Sequence, residues 1–355
     1  MKGLFNILTI PLAAVWYLVA RLRGWLFDKG WLKSHTFPLP IICVGNLAVG
    51  GTGKTPHVEY LLRLLHQEGY RVAMLSRGYG RKTKGYILAD PMHHTATDIG
   101  DEPFQMMHNC PFATIAVCEK RVVGIQRLLK LQPAIDVIVL DDAFQHRYVK
   151  AGYNLLLTDA HRLYTHDHLL PWGRLREPSC AAHRAQAIIV TKCESNQRPT
   201  IDIADNQQLF YSRIVYGELL TPDMQAMPHL SLEGQRILLI AGIANPTPLV
   251  KYLEGKGAAV EVVAFADHHA FTTKDVARIN RLWQEKQCNL ALTTQKDMTR
   301  LLPWLSHFDE PLASNLLVQP ITVCIASATD ANNKESFNQT ILQYVRTNQR
   351  NRSVD

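Results

Sequence analysis

The chain has 355 residues, of which 47% are hydrophobic and 8% aromatic, and this is ordinary for a globular protein of about two domains. Its seven cysteines are odd in number, scattered and without a C-x-x-C pair, which argues against a disulfide framework and favours a reducing cytosol. The formal net charge of +7 is spread along the chain without a Lys/Arg block. We therefore expect no nucleic-acid partner and favour anionic small molecules or anionic lipid.

The N-terminal stretch is apolar and is flanked by aromatic and basic residues. No charged residue occurs between Gly3 and Ala20, and this run, which contains Pro11, is judged too short and too broken to span a bilayer. No small-residue cleavage site of a signal peptide precedes the basic segment. Either an interfacial membrane anchor or a helix packed on the protein itself would fit. We favour the anchor because aromatic and basic residues cluster here: Trp16, Tyr17, Arg21, Arg23, Trp25, Lys29, Trp31 and Lys33.

A strand, a glycine-rich loop and a helix follow one another from Ile41. The apolar run predicts a buried strand, and apolar residues at helical spacing after Pro56 predict a helix. Glycines between them let backbone N–H groups surround a nucleotide's phosphates at the helix N-terminus. Lys54 would reach the β- and γ-phosphates and Thr55 would bind Mg²⁺. We therefore predict a nucleotide-phosphate site, although Ala48 stands where the standard pattern has glycine. Its loop residues are Gly50, Gly51, Thr52, Gly53, Lys54 and Thr55.

Further short apolar runs alternate with helical patterns and predict an α/β fold, with a mostly parallel sheet covered by helices on both faces. In such sheets ligands bind beyond the carboxyl ends of the strands. The phosphate loop, Arg77, Asp141 and Asp142 each follow a predicted strand, so we expect them to converge. The composition shifts to Asp, Asn and Gln near residue 200. This predicts a helical N-terminal segment (1–33), a P-loop domain (34–205), a smaller α/β domain (206–330) and a last helix with a polar tail (331–355).

Two carboxylate motifs are candidates for catalysis. An apolar strand that ends in Asp141-Asp142 is typical of a Walker B motif, in which a carboxylate contacts Mg²⁺. Asp101, in a predicted turn over residues 100–103, is a candidate to take a proton from an alcohol acceptor. His268 follows Asp267, and a carboxylate–imidazole pair could aim such a base, although a surface histidine pair is the more ordinary interpretation. The histidines at 161, 166 and 168 match no familiar metal-ligand spacing and favour a polar loop.

Together these motifs resemble the tetraacyldisaccharide 4'-kinase (lipid A 4'-kinase) family of Gram-negative bacteria. The resemblance covers about residues 1–300 and depends on motifs that occur in the family's order. They are Val44-Gly45-Asn46-Leu47, Gly50-Gly51-Thr52-Gly53-Lys54-Thr55-Pro56, Leu75-Ser76-Arg77-Gly78-Tyr79-Gly80-Arg81, Gly100-Asp101-Glu102-Pro103, Asp141-Asp142-Ala143-Phe144-Gln145-His146, Leu175-Arg176-Glu177-Pro178, Phe265-Ala266-Asp267-His268 and Thr293-Thr294-Gln295-Lys296-Asp297. Two positions depart from the pattern, Ala143 in place of glycine and Arg174 where proline often stands.

The resemblance implies a kinase that moves the γ-phosphate of ATP to the 4'-hydroxyl of a tetraacyldisaccharide 1-phosphate, a lipid A precursor. It implies ATP and Mg²⁺ as cofactors and a peripheral or monotopic place on the cytoplasmic face of the inner membrane, with no obligate protein partner inferred. By motif, Lys54 and Thr55 hold phosphate and metal, and Asp141 and Asp142 serve the metal together with Glu177. Asp101 is the base and pairs with His268. Arg77, Arg121 and Arg176 would neutralise charge on ATP or on the lipid phosphate.

Two other functions fit the same residues. One is a membrane-associated P-loop NTPase switch that hydrolyses nucleotide without a lipid acceptor. The other is a soluble P-loop kinase whose N-terminal helix is only structural. Transfer of phosphate to an added lipid separates the first from a kinase, and liposome binding after removal of residues 1–33 separates the second.

Overall fold

The structure, a computed structural model, describes residues 2–194, 198–228, 230–267, 269–327 and 336–350. The strands are β1 Ile41–Asn46, β2 Val72–Ser76, β3 Ile87–Leu88, β4 Thr114–Val117, β5 Val137–Asp141, β6 Tyr153–Asp159, β7 Ala187–Thr191, β8 Gln208–Tyr216, β9 Arg236–Ala241, β10 Ala259–Ala264, β11 Leu290–Thr294, β12 Leu316–Gln319 and β13 Ile321–Ser327. The helices are α1 Lys2–Asp28, α2 Lys54–Gln67, α3 Ala96–Ile99, α4 Asp101–Asn109, α5 Arg121–Leu128, α6 Thr247–Glu254, α7 Thr273–Glu285, α8 Gln295–Leu301 and α9 Phe337–Arg350.

The chain divides into two compact units, of which the first comprises Met1–Ile214 with Val323–Asp355. Within the described residues its sheet has nine strands in the order β13-β8-β7-β6-β1-β5-β2-β4-β3. Strand β1 lies between β5 and β6 and pairs in parallel with both, and β2 pairs in parallel with β5 and β4. The carboxyl ends of β1, β2 and β5 therefore meet at one edge of the sheet.

The central strands of this sheet are buried on both faces, as continuous apolar sequences predict. All residues of β1, β2 and β5 are buried, and helix α2 covers one face with its apolar stripe. A large apolar cluster covers the other face, including Cys43, Leu140 and Phe144. Full burial of each such aliphatic or aromatic side chain contributes about 1.5–3 kcal/mol. The predicted mostly parallel α/β fold is confirmed.

The second unit, Val215–Thr322, holds a smaller parallel sheet. Four strands of its described part follow the order β10-β9-β11-β12. Apolar clusters cover both faces of this sheet, one around Ile240 and Trp283 and the other around Leu239 and Leu253. This unit therefore has its own core.

Three sequence-based expectations are corrected. The domain boundary predicted after residue 205 lies after Ile214, because β8 pairs with β7 in the large sheet. The last helix, α9, belongs to the first unit, where the Tyr344 hydroxyl donates to the Ile41 carbonyl at 3.1 Å. The turn predicted at 100–103 is the beginning of α4, whose first residue is Asp101.

The N-terminal segment also differs from its prediction, since α1 runs unbroken through Pro11. Its part Thr9–Asp28 is long and apolar enough to cross a membrane by length and composition, with a mean hydropathy of 1.2. Only 11% of this window is buried within the protein. Most of this part of α1 is therefore exposed.

Candidate active site

The glycine-rich loop joins β1 to α2 and leaves the first helical turn free for a ligand. Gly50 and Gly53 have φ angles of 110° and 79°, which residues with a side chain rarely adopt. Gly53 is the N-cap of α2, and no side chain among the described residues caps this helix end. Its first N–H groups therefore point to the loop without a partner from a capping side chain, and such groups bind phosphate.

Side chains from neighbouring strands hold this loop in place. The Asn46 side-chain amide donates to the Thr52 hydroxyl at 2.8 Å, and the Thr191 hydroxyl donates to the Thr52 carbonyl at 3.0 Å. The Lys192 ammonium donates to the Gly51 carbonyl at 2.5 Å and to an Asp159 carboxylate oxygen at 2.7 Å. Sequence reasoning missed these roles of Asn46 and Lys192. Lys192 could have been identified as a candidate from the sequence, because it directly follows β7 and ligands bind beyond the carboxyl ends of parallel strands.

The two aspartates after β5 have different environments. Asp141 is 2% exposed, accepts a hydrogen bond from the Ser76 hydroxyl at 3.1 Å, and has a buried Oδ1 without a partner among the described residues. Burial, together with the nearby carboxylates of Glu102 and Asp142, raises the pKa of Asp141 to about 7. Lys54 offsets this rise only in part, and Asp141 makes no ion-pair contact among the described residues.

Asp142 by contrast lies among cations. Its carboxylate is 3.8 Å from the Lys54 ammonium and accepts two hydrogen bonds from the Arg176 guanidinium, at 2.8 and 3.2 Å. Burial opposes ionisation, but Lys54, Arg176 and Arg121 outweigh it and hold the pKa of Asp142 below its ordinary value. Asp142 is therefore ionised at neutral pH.

Backbone pairing places Arg176 beside the loop. The Val49 N–H donates to the Arg174 carbonyl at 2.8 Å, and the Arg176 N–H donates to the Leu47 carbonyl at 2.7 Å. The Arg176 guanidinium also donates to the Asn46 carbonyl at 3.0 Å and to the Asn46 side-chain oxygen. The structure thus brings together four residues at the edge of the sheet: Asn46, Lys54, Asp142 and Arg176.

The other predicted arginines occupy different positions. Arg121 is 3% exposed, begins α5 and donates to the Cys118 carbonyl at 3.0 Å. Burial lowers its pKa, although Asp141 and Asp142 act in the opposite direction. Arg77 follows β2 directly and its side chain is exposed. Arg121 therefore adds positive potential near the two aspartates, whereas Arg77 faces solvent.

Glu177 lies in an ion network. Its carboxylate accepts a hydrogen bond from Arg184 and is 3.9 Å from the Arg23 guanidinium. These described partners are cations that would compete with a metal ion for the carboxylate, so its predicted role at the metal stays a prediction. His268 lies outside the described residues. Its neighbour Asp267 accepts a hydrogen bond from the Lys296 ammonium at 2.8 Å.

The residues at the loop fit a Mg²⁺ ion. The buried, unpartnered Oδ1 of Asp141 and its raised pKa are what a carboxylate shows when a cation is needed to stabilise its charge. Mg²⁺ is usually held by one or two carboxylates together with substrate phosphates, so a cluster of three acidic ligands is not required. Asp141 would be a ligand, and Thr55 and Asp142 are the other predicted ligands, although Lys54 and Arg176 also contact the Asp142 carboxylate.

Comparison with known proteins agrees with this geometry. The family model described as tetraacyldisaccharide-1-P 4'-kinase matches residues 5–345. This chain belongs to that kinase family. A tetraacyldisaccharide 4'-kinase of Bacteroides fragilis is 46% identical, with 94% of this chain and 91% of the relative covered. The tetraacyldisaccharide 4'-kinase of Flavobacterium johnsoniae is 40% identical over 98% of this chain and 99% of its own.

A solved structure of the 4'-kinase family has the same fold. The crystal structure of the apo form of LpxK from Aquifex aeolicus in complex with ATP gives a TM-score of 0.75 at 29% identity. The match covers 95% of this chain and 98% of that chain. In the present 4'-kinase family member, alanine fits at 143 because the positive φ of this turn, 44°, belongs to Asp142. Ala143 itself is buried and accepts a hydrogen bond from the His146 N–H at 2.8 Å.

Proposed function

We propose that this protein is an ATP-dependent kinase that phosphorylates the 4'-hydroxyl of a tetraacyldisaccharide 1-phosphate, a lipid A precursor. Membership of the 4'-kinase family gives the reaction class. The observation that carries the proposal is the cluster of Lys54, Asp142 and Arg176 at the open N-terminus of α2. Two cations and an ionised carboxylate beside an uncapped helix N-terminus support the binding of nucleotide phosphates there.

The loop N–H groups and Lys54 would bind the β- and γ-phosphates of ATP, and Lys54 would stabilise charge on the transferred group. Mg²⁺, when bound by Thr55, Asp141 and Asp142, would neutralise charge on the phosphate oxygens. Arg176, fixed by Asn46 and Asp142, would face the same phosphates. We assign Arg121 the role of keeping both aspartates in a positive potential.

The acceptor side of the reaction needs a base. The 4'-oxygen forms a bond to the γ-phosphorus, the bond from that phosphorus to the β,γ-bridging oxygen breaks, and the hydroxyl proton leaves. We assign that proton to Asp101, the first residue of α4. By resemblance to the family, His268 would orient Asp101.

The proposed location is the cytoplasmic face of the inner membrane. Large apolar side chains of α1 are exposed, including Leu12 (59%), Leu18 (66%) and Leu22 (58%). Transfer of apolar side chains from water into the acyl-chain region is favourable. We therefore propose that α1 attaches the kinase to the membrane that holds its lipid acceptor.

One assay tests the function. Purified protein is incubated with labelled ATP, Mg²⁺ and tetraacyldisaccharide 1-phosphate in neutral detergent, and the lipid product is resolved. We expect label on the 4'-position of the lipid. Release of inorganic phosphate at the same rate with and without acceptor, and no labelled lipid, would instead identify an NTPase switch.

A further inference from the structure

A second cavity lies in the first unit, away from the phosphate loop. Its volume is about 740 Å³, and it lies between the end of α1 with its following segment and the loop after β5. Cys43, Leu140 and Phe144 form part of its wall. None of the loop residues 50–55 lines it, so it is a separate space.

Positive charge dominates this cavity. Four cationic residues line it, and no Asp or Glu is among its described lining residues. They are Lys33, Arg147, Lys150 and Arg184. Two of them pair with acidic residues that do not line the cavity: Arg147 pairs with Asp28 at 2.6 Å, and Arg184 pairs with Glu177. The Lys150 N–H donates to the His35 carbonyl at 2.9 Å, but the ammonium groups of Lys33 and Lys150 have no hydrogen bond or ion pair within the described residues.

Two histidines add polar groups to the wall, His35 and His146. Burial, and then the charges of Arg121, Arg23 and Arg77, lower the pKa of His146 to about 4. Its imidazole is therefore neutral at pH 7 and offers a hydrogen bond. A cavity with two uncompensated ammonium groups and a neutral imidazole suits an oxyanion such as phosphate.

The rim of the cavity begins where α1 ends. Phe27 lines it at the end of the apolar window Thr9–Asp28, and Gly30 and Lys33 line it directly after that window. Trp25 and Trp31 lie beside this rim with ring centroids 5.4 Å apart. Tryptophan and lysine at the end of an apolar helix are typical of the headgroup level of a membrane. With α1 in a bilayer, the cavity would open among lipid headgroups.

We infer that this cavity binds the phosphate of a lipid headgroup, with Lys33 and Lys150 as its charged ligands. The inference rests on the proposed membrane location of α1. Two sources carry the same chemistry, the 1-phosphate of the kinase's own acceptor and the phosphate of an anionic bilayer phospholipid. Both would bring a phosphate to the end of α1 from the membrane side.

The test compares the full-length protein with the Lys33→Gln/Lys150→Gln variant. The control is Lys251→Gln/Lys256→Gln, which removes the same charge from two exposed lysines of the second unit. One arm measures KM for the acceptor with and without its 1-phosphate in neutral micelles. The other measures sedimentation with phosphatidylcholine vesicles with and without about 30% phosphatidylglycerol.

Loss of an ammonium beside a lipid phosphate weakens binding by roughly 5-fold, so the pair should cost about 25-fold. If the source is the acceptor, KM rises by that factor only for the 1-phosphate form, while KM for ATP is unchanged. If the source is a phospholipid, only the phosphatidylglycerol-dependent binding falls. In either case the Lys33→Arg/Lys150→Arg variant, which keeps both positive charges, should regain most of the binding that the Gln variant loses.

Equal values for the variant and its control in both arms would overturn the inference. A wild-type protein that binds phosphatidylglycerol vesicles through these lysines but phosphorylates no lipid would leave the cavity assignment standing and refute the proposed kinase function. The vesicle measurement therefore distinguishes failure of the cavity assignment from failure of the proposed kinase function.

Discussion

The Asp142 carboxylate contacts both Lys54, at the glycine-rich loop, and Arg176, which lies beside that loop. Asp142 follows β5 with a φ of 44°, a conformation that costs a residue other than glycine on the order of 1–3 kcal/mol. The contacts with Lys54 and Arg176 hold it there, and Arg176 in turn contacts Asn46 at the end of β1. A change at any of these residues should therefore alter the loop as well as its own contact.

Lys54→Ala should abolish most of the phosphate transfer while the protein stays folded. The substitution removes a cation that stabilises the transferred phosphate, and kcat should fall by at least about 10²–10³-fold. The Lys54 side chain is 14% exposed, so thermal unfolding is needed to separate loss of catalysis from loss of stability. Initial rates and thermal unfolding are the measurements, with Lys274→Ala as a control at an exposed site. Near-normal turnover of Lys54→Ala would remove the loop from the mechanism.

Asp101→Ala should lower kcat by roughly 10²–10⁴-fold, the scale for loss of a general base, with little change in KM for ATP. His268→Ala should cost less, because an orienting residue does not take the proton. If the two residues act as a pair, the double variant should be no worse than Asp101→Ala alone. A double loss equal to the product of the single losses would mean that they act independently.

Helix α1 contacts the active site as well as presenting an exposed apolar face. The Trp16 indole N–H donates to the Arg176 carbonyl at 3.1 Å, and the Arg23 guanidinium donates to the Gln145 carbonyl at 3.1 Å. The Gln145 amide donates in turn to the Asn46 carbonyl at 2.9 Å. The same helix that would enter a membrane thus supports the backbone of both site segments.

Arg23→Gln should therefore reduce activity although Arg23 is not itself at the phosphate loop. Loss of its bonds to Gln145 and Glu177 frees the loop after β5, and kcat should fall about 10-fold with an unchanged KM for ATP. Arg21→Gln is the matched control, since its guanidinium contacts the Cys180 sulfur at 3.8 Å and the Tyr17 ring. Equal kcat in the two variants, measured in neutral micelles, would show that α1 does not support the site.

Deletion of residues 1–26 should release the protein from membranes. The deleted part of α1 carries nearly all of its exposed large apolar side chains. The nucleotide loop lies between β1 and α2, outside the deletion, so binding of ATP should persist. Sedimentation with vesicles and nucleotide titration measure the two properties. Aggregation of the truncated protein without nucleotide binding would mean that α1 is needed for folding.

Most of the fold could be predicted from the sequence because periodicity is local information. The strand predicted from Ile41 is β1, and the apolar strand predicted before the Asp141-Asp142 pair is β5. The two-residue strand β3 and the strand β12 were not predicted, since pairing with a neighbour defines them more than their own sequence does. The beginning of α4 at Asp101 was missed because Gly100 and Pro103 also favour a turn.

The site was predictable only in part. Glycines, Lys54 and the aspartates lie in contiguous motifs, whereas Asn46, Lys192 and Trp16 have partners far away in the chain, Arg176 in the case of Asn46. Trp16 and Arg176 are 160 positions apart, and no local pattern joins them. The opposite environments of Asp141 and Asp142 likewise depend on burial and on Glu102, Lys54 and Arg176, which lie elsewhere in the sequence.

The buried histidine of α2 should make the stability of the first unit depend on pH. His57 lies under the phosphate loop, where its Nδ1 is 2.7 Å from the Gly53 carbonyl and its Nε2 is 2.9 Å from the Ser212 hydroxyl. A carbonyl only accepts, so Nδ1 carries the proton and Nε2 accepts from Ser212. Burial lowers the pKa of His57 from 6.5 to about 4, against the opposing hydrogen bond to Gly53.

Between pH 6.5 and about pH 4 the unfolded chain binds a proton that folded His57 does not, so the free energy of unfolding rises with pH. The contribution is complete above pH 6.5 and is lost as the pH falls through this window. From about pH 7.5 to about pH 5 the loss at this residue should be about 2 kcal/mol. His57→Gln, whose amide can both donate and accept, should remove that part of the slope. Denaturant unfolding at both pH values measures it, with the exposed His166→Gln as control. If wild type and His57→Gln lose equal stability, His57 does not set the acid sensitivity of the loop.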